Sequence, residues 1–217
     1  MEVENFYQCL QYIEAAKSNS YWEKLLPLIS ACAGASLAFA YNYFNTSSQA
    51  NKALKNKLMC CNEGVERTSA ALEHIVKELL KIMTNVLENK NLEGNHLPKK
   101  LTSLYLEKFH ADVSHKYSKE QRTHVESLLR SLEPINENLK NLGLGVINRY
   151  EYSLFLLNTV TQATASWRHA QAIINDTSPK TKSVTESVIE MGGTNENLES
   201  MNKLSENAFS GNTKLAL

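Results

Sequence analysis

LLPLISACAGASLAFAYNYFNTSSQAN, Leu25 to Asn51, is a run of 27 residues without a charged side chain, the longest in the chain. Its first part, Leu25 to Ala40, is broken only by Pro27, Ser30, Gly34 and Ser36. Aromatic residues stand at both ends, Tyr21 and Trp22 before it and Tyr41, Tyr43 and Phe44 after it. A helix from Trp22 to Tyr41 rises roughly 28 Å at ~1.5 Å per residue, close to the ~30 Å thickness of bilayer hydrocarbon. It also places rings at both interfaces, where amphipathic aromatics gather. The stretch therefore predicts a membrane-spanning helix over residues 20–46, with Tyr21, Trp22, Tyr41 and Tyr43 as interfacial aromatics and the lipid bilayer as partner.

Other origins for such a run make different demands. A buried helix of a soluble bundle shares this Ala-, Ser- and Gly-rich composition. A secretory leader needs a short basic start, whereas Glu2, Glu4, Glu14 and Glu23 precede the run against Lys17 and Lys24. Neither a cleavage site at Ala38-Phe39-Ala40 nor lipidation at Ile29-Ser30-Ala31-Cys32 is expected on that ground. Lys17 and Lys24 on one side and Lys52, Lys55 and Lys57 on the other give a slight bias toward a cytoplasmic C-terminal body. Within the run Ser30, Gly34 and Ala38 recur every four residues, a flat face on which a second helix can approach closely.

Working outward, the next pattern is a heptad seam. Leu54, Leu58, Cys61, Val65, Thr68, Leu72, Ile75, Leu79, Ile82 and Val86 alternate by four and three residues, which predicts a long helix over residues 49–89. The seam is weak at Cys61, Gly64 and Thr68 and widens after Leu72 through Val76, Leu80, Met83 and Leu87. A stripe that broad belongs in a bundle rather than a two-stranded coil.

Gly94 and Pro98 interrupt the pattern. Helices are expected from about Lys99 to His115, from a capping box at Ser118-Lys119-Glu120-Gln121, and from Val146 to Ile174, with Pro134 at a helix start or kink. The uncharged stretch Tyr152 to Trp167 contains Asn158, Gln162 and several hydroxyls, so it reads as a core helix rather than a second span. Ahead of the span, residues 1–19 form a short amphipathic helix, separated from it by a second capping box at Ser20-Tyr21-Trp22-Glu23. The domain expected over residues 47–175 is then a helical bundle. Residues 176–217, with Ser178-Pro179 and Gly192-Gly193, form a polar tail, flexible or conditionally helical, whose only periodicity is Leu198, Met201, Leu204 and Ala208. The fold class expected is all-α.

Chemistry is sparse. Twenty-three basic against 23 acidic residues leave no net field, so no nucleic acid partner is expected. Cys9, Cys32, Cys60 and Cys61 make no metal or redox spacing. His110, Asp112 and His115 lie close in sequence, but an i, i+5 pair on a helix is separated by about 140°, and Glu120 with His124 reads as a surface pair. Gly143-Leu144-Gly145 reads as a helix junction. No catalytic residue, metal or cofactor is expected. The function expected is a single-pass, membrane-anchored interaction protein that forms a homo-oligomer or recruits a partner protein. The alternative is a membrane-perturbing effector of toxin or phage-defence type that assembles through its span.

Overall fold

The computed structural model describes residues 7, 8, 11, 21–88, 90, 96–143, 149–177 and 182–209. They form six helices: α1 Tyr21–Leu87, α2 Leu104–Val113, α3 Lys119–Gly143, α4 Arg149–Asn175, α5 Val184–Glu190 and α6 Asn195–Phe209, with a 3-10 turn at Ser114–Lys116. The fold is all-α, with no strand among the described residues. The expected short helix over residues 1–19 and the capping box at Ser20 lie outside the described residues, apart from helical backbone at Tyr7, Gln8 and Gln11. The chain divides into two compact units, Met1–Lys55 and Asn56–Leu217.

The second unit is a bundle built on the seam of α1. Cys61, Val65, Thr68, Leu72, Ile75, Leu79, Ile82 and Val86 are each at most 5 % exposed, and Val76, Leu80 and Met83 are buried beside them. Leu58 is half-exposed, as is Leu54 in the other unit. The weak positions of the seam are where α2 docks. A Cβ on Gly64 would lie 3.4 Å from Tyr105 Cβ and 3.7 Å from the Leu106 amide, an ordinary contact, so α2 lies directly against this turn of α1. Cys61 Sγ is 3.6 Å from the Tyr105 carbonyl. The Thr68 hydroxyl donates to the Gly64 carbonyl at 2.8 Å and lies 3.2 Å from the Ser103 hydroxyl. Small and polar residues here are a fitted contact, with each polar atom satisfied.

The helix expected from about Lys99 begins only at Leu104. Asn136 of α3 clasps the backbone of Leu101, accepting from its amide at 2.6 Å and donating to its carbonyl at 2.9 Å. Those groups are therefore unavailable to a helix. The Ser118 capping box closes as its spacing dictates, with Gln121 N donating to Ser118 Oγ at 3.1 Å and Ser118 N to Gln121 Oε1 at 3.0 Å. Pro134 lies inside α3, neither starting nor ending it.

Helices α3 and α4 pair antiparallel along a polar ladder. Asn138 Nδ2 donates to Gln162 Oε1 at 3.1 Å, the Ser131 and Ser166 hydroxyls meet at 2.6 Å, His124 meets His169 at 3.0 Å, and Gln121 Nε2 donates to the Ile173 carbonyl at 3.1 Å. On α3 the first three rungs are seven residues apart, one per heptad, flanked by buried Val125, Leu128, Leu132 and Ile135. Paired polar groups in an apolar seam tolerate only one register, since a slip would leave each without a partner. The Thr159 and Thr164 hydroxyls, both fully buried, bond back to the carbonyls of Phe155 and Val160. The buried hydroxyls of Thr159, Thr164 and Ser166 on α4 are thus satisfied inside the protein, whereas the buried Trp167 indole nitrogen makes no hydrogen bond among the described residues.

In the polar C-terminal segment the described residues 182–209 are folded, helical rather than flexible. Ser183 caps α5 in a reciprocal box with Glu186. Gly192-Gly193, which composition alone suggests as a linker, ends α5: Gly192 sits at φ +87° and Gly193 N donates to the Val188 carbonyl at 2.8 Å. A Cβ on Gly193 would fall 2.5 Å from Val188 Cγ1. Val188, Met191, Leu204 and Ala208 are buried, and the Thr84 hydroxyl of α1 meets Ser200 of α6 at 3.3 Å. The stripe is short, but α1 and α4 supply the surface that covers it.

Candidate functional site

In the first unit α1 has a different character. Every residue from Cys32 to Ala53 is exposed. Leu26, Leu28, Ile29, Leu37, Phe39, Tyr41, Tyr43 and Phe44 are between 49 % and 77 % exposed. At ~100° per residue these side chains cover about 220° of the circumference, and from Leu25 to Ala40 the remaining arc carries Pro27, Ala31, Gly34, Ala35 and Ala38, so no polar face is left there. A helix apolar on all sides belongs in a core or in a bilayer. Leaving eight such side chains in water forgoes on the order of 10 kcal/mol, as much as the whole stability of an ordinary domain. Among the described residues this is the one helix long and apolar enough to cross a membrane, and none of its apolar window is buried in the protein.

Two of its hydroxyls are satisfied by the helix's own carbonyls. Ser30 Oγ donates to the Pro27 carbonyl at 2.9 Å and Ser36 Oγ to the Cys32 carbonyl at 2.8 Å, the pairing a hydroxyl needs where no water is present. Ser30, Gly34 and Ala38 are all exposed, and a Cβ on Gly34 would meet nothing within 4 Å. Tyr43 and Phe44 pack edge to face at 5.9 Å, and Tyr41 is exposed. The backbone of Tyr21 and Trp22 belongs to α1, and their side chains lie outside the described residues.

The sequence's titratable groups do not gather into one site. Asp112 pairs with Lys57 at 2.6 Å, His115 is exposed, and the half-buried His110 lies beside Tyr117 with rings 5.9 Å apart. Burial, chiefly, holds His110 below the usual imidazole range. Burial likewise pushes the Cys61 thiol up to about 11 and the Tyr117 phenol up to about 12, so neither is an activated nucleophile. The Tyr117 hydroxyl donates to Asn62 Oδ1 at 2.7 Å. It lines a cleft of about 240 Å³ with Leu58, Asn62, Val65, Gln121 and Ile173. No three His, Cys, Asp or Glu side chains converge among the described residues as a metal site requires.

The cluster that sequence spacing missed is His124 with His169, 45 residues apart in the chain. Their Nδ1 atoms are 3.0 Å apart and their ring centroids 5.2 Å, so the nitrogens face each other. One imidazole must donate and the other accept, and two imidazolium rings cannot make this contact. His169 is held below the usual range by burial first, then by His124 and Arg168. Between that lowered value and the ordinary ~6.5 the unfolded chain binds the proton and the folded chain does not, so stability is full above about pH 6.5 and falls as pH drops below it. Urea midpoints measured at pH 7.5 and 5.5 should show the loss, and His169→Gln should reduce it. An unchanged pH dependence in that variant would remove the pair as its source.

Comparison with known proteins finds no family model, no curated protein and no solved structure that matches this chain.

Proposed function

We propose that the protein is a single-pass, membrane-anchored helical interaction protein. In this proposal the Leu25–Phe44 segment of α1 crosses the bilayer and the bundle of the second unit meets a second copy or a partner protein. The observation that carries the reading is the exposure of large apolar side chains over about 220° of the helix, with only alanine, glycine and Pro27 on the remaining arc from Leu25 to Ala40. A groove on a partner would cover one face of such a helix; only lipid, or a complete sheath of other helices, covers all of it. Internally bonded Ser30 and Ser36 fit the same environment. The exposed face of Ser30, Gly34 and Ala38 supports pairing between spans, and the lysines that follow support a cytoplasmic body.

Alkaline carbonate washing of membranes should leave the full-length protein in the pellet, and a variant lacking Leu25 to Phe44 should move to the supernatant. Wild-type protein in the supernatant, or a deletion that leaves fractionation unchanged, overturns the anchor. For self-association, crosslinked oligomers in native membranes should disappear with Gly34→Leu, since a bulky side chain blocks close approach of two spans. Growth arrest with dye uptake on expression would replace the scaffold by the membrane-perturbing effector.

A further inference from the structure

We infer that the turns of α1 just beyond the apolar segment bind the phosphate of an anionic phospholipid, through Ser47, Ser48, Lys52 and Lys55. The inference rests on the membrane reading above and adds to it a lipid class.

With Phe44 and Asn51 these four residues line an open depression of about 430 Å³. They recur at intervals of three and four from Phe44 to Lys55, so they share one face of the helix. The face carries two ammonium groups, two hydroxyls and a side-chain amide, all able to donate to phosphate oxygens, and no carboxylate. Nor is there a carboxylate nearby in sequence: between Glu23 and Glu63 the chain contains neither Asp nor Glu. Among the described residues no ion pair includes Lys52 or Lys55. The next lysine, Lys57, is already held by Asp112 at 2.6 Å.

The depth fits as well. Leu25 to Phe44 spans ~30 Å of hydrocarbon, and a bilayer of ~40–45 Å leaves roughly 5–8 Å of headgroup layer on each side. At ~1.5 Å per residue that layer is reached at Ser47 and Ser48. Lys52 lies roughly 12 Å and Lys55 roughly 17 Å beyond Phe44; side chains on a helix lean toward its N-terminus, so the Lys52 ammonium snorkels back toward the phosphate plane while Lys55 attracts it from the aqueous side. One helix face gives a phosphate partners on one side only, which makes a weak site for a free anion. A leaflet supplies the same phosphate at high local concentration, so a weak site is enough.

The test uses the full-length chain in phosphatidylcholine bilayers with trace spin-labelled phosphatidylglycerol or spin-labelled phosphatidylcholine, reading the relative association constant of each label with the protein. At low salt the anionic label should be favoured about fivefold for each engaged lysine, on the order of 25-fold for the pair, and the preference should shrink as salt rises. Lys52→Gln with Lys55→Gln should bring the ratio near one, while the exposed pair Lys99→Gln with Lys100→Gln should leave it unchanged. A preference that survives in the first double variant overturns the site. Loss of the preference on adding millimolar inorganic phosphate at constant ionic strength would assign the depression to a free anion and overturn the lipid. Protein that carbonate strips from the bilayer defeats the membrane reading and this inference together; protein that stays in the pellet without lipid preference defeats this inference alone.

Discussion

Replacing Leu72 by aspartate should unfold most of the bundle at room temperature. Leu72 is fully buried, with Ile75, Val76 and Leu79, equally buried, on the same helix. Losing the leucine alone costs about 2–5 kcal/mol, and an unpaired carboxylate in its place adds several kcal/mol more. Against the roughly 5–15 kcal/mol that stabilises a domain, the sum is decisive. Ile75→Asp should behave the same way. Met59→Asp is the comparison on the same helix, because Met59 is 55 % exposed; a surface change of that kind stays within about 0.5 kcal/mol. Urea unfolding followed by circular dichroism should separate the variants by several molar units of denaturant or abolish the transition for Leu72→Asp. Equal tolerance at Leu72 and Met59 would show that the seam is not a packed face.

The second large effect is expected at Leu204, in the segment whose composition suggests a loose tail. Leu204 is fully buried on α6, one turn after Ser200, whose hydroxyl meets Thr84 of α1. Leu204→Ala should cost about 2–5 kcal/mol and should make residues 182–209 more sensitive to protease. Lys203→Ala, on the exposed side of the same turn, should change stability by less than about 0.5 kcal/mol. If the two variants unfold and digest alike, α6 is tethered to the bundle without being packed on it.

Much of the secondary structure was legible because it is local. The change from an all-round apolar run to a one-sided heptad stripe is written in the residues of α1. The cap at Ser118 is fixed by a side chain three residues from its own amide. Leu101 is different: its spacing suits a helix, yet its backbone is claimed by Asn136, 35 residues away. Gly192 illustrates the same limit, since a glycine pair is equally a linker or a helix stop until the sign of φ is known, here +87°.

The candidate site divides along the same line. The apolar segment could be found from the sequence because a bilayer acts on a helix as a uniform solvent, and suitability for it is a property of composition and length alone. By itself, then, the sequence determined the all-α class, the seam and the stretch suited to lipid. Only the tertiary structure decided that residues 182–209 fold, that His124 faces His169, and that among the described residues Lys57 is taken by Asp112 while Lys52 and Lys55 enter no ion pair. Those outcomes depend on which surfaces meet across dozens of residues, and pairing energy between distant groups leaves no periodic trace in either partner's own segment.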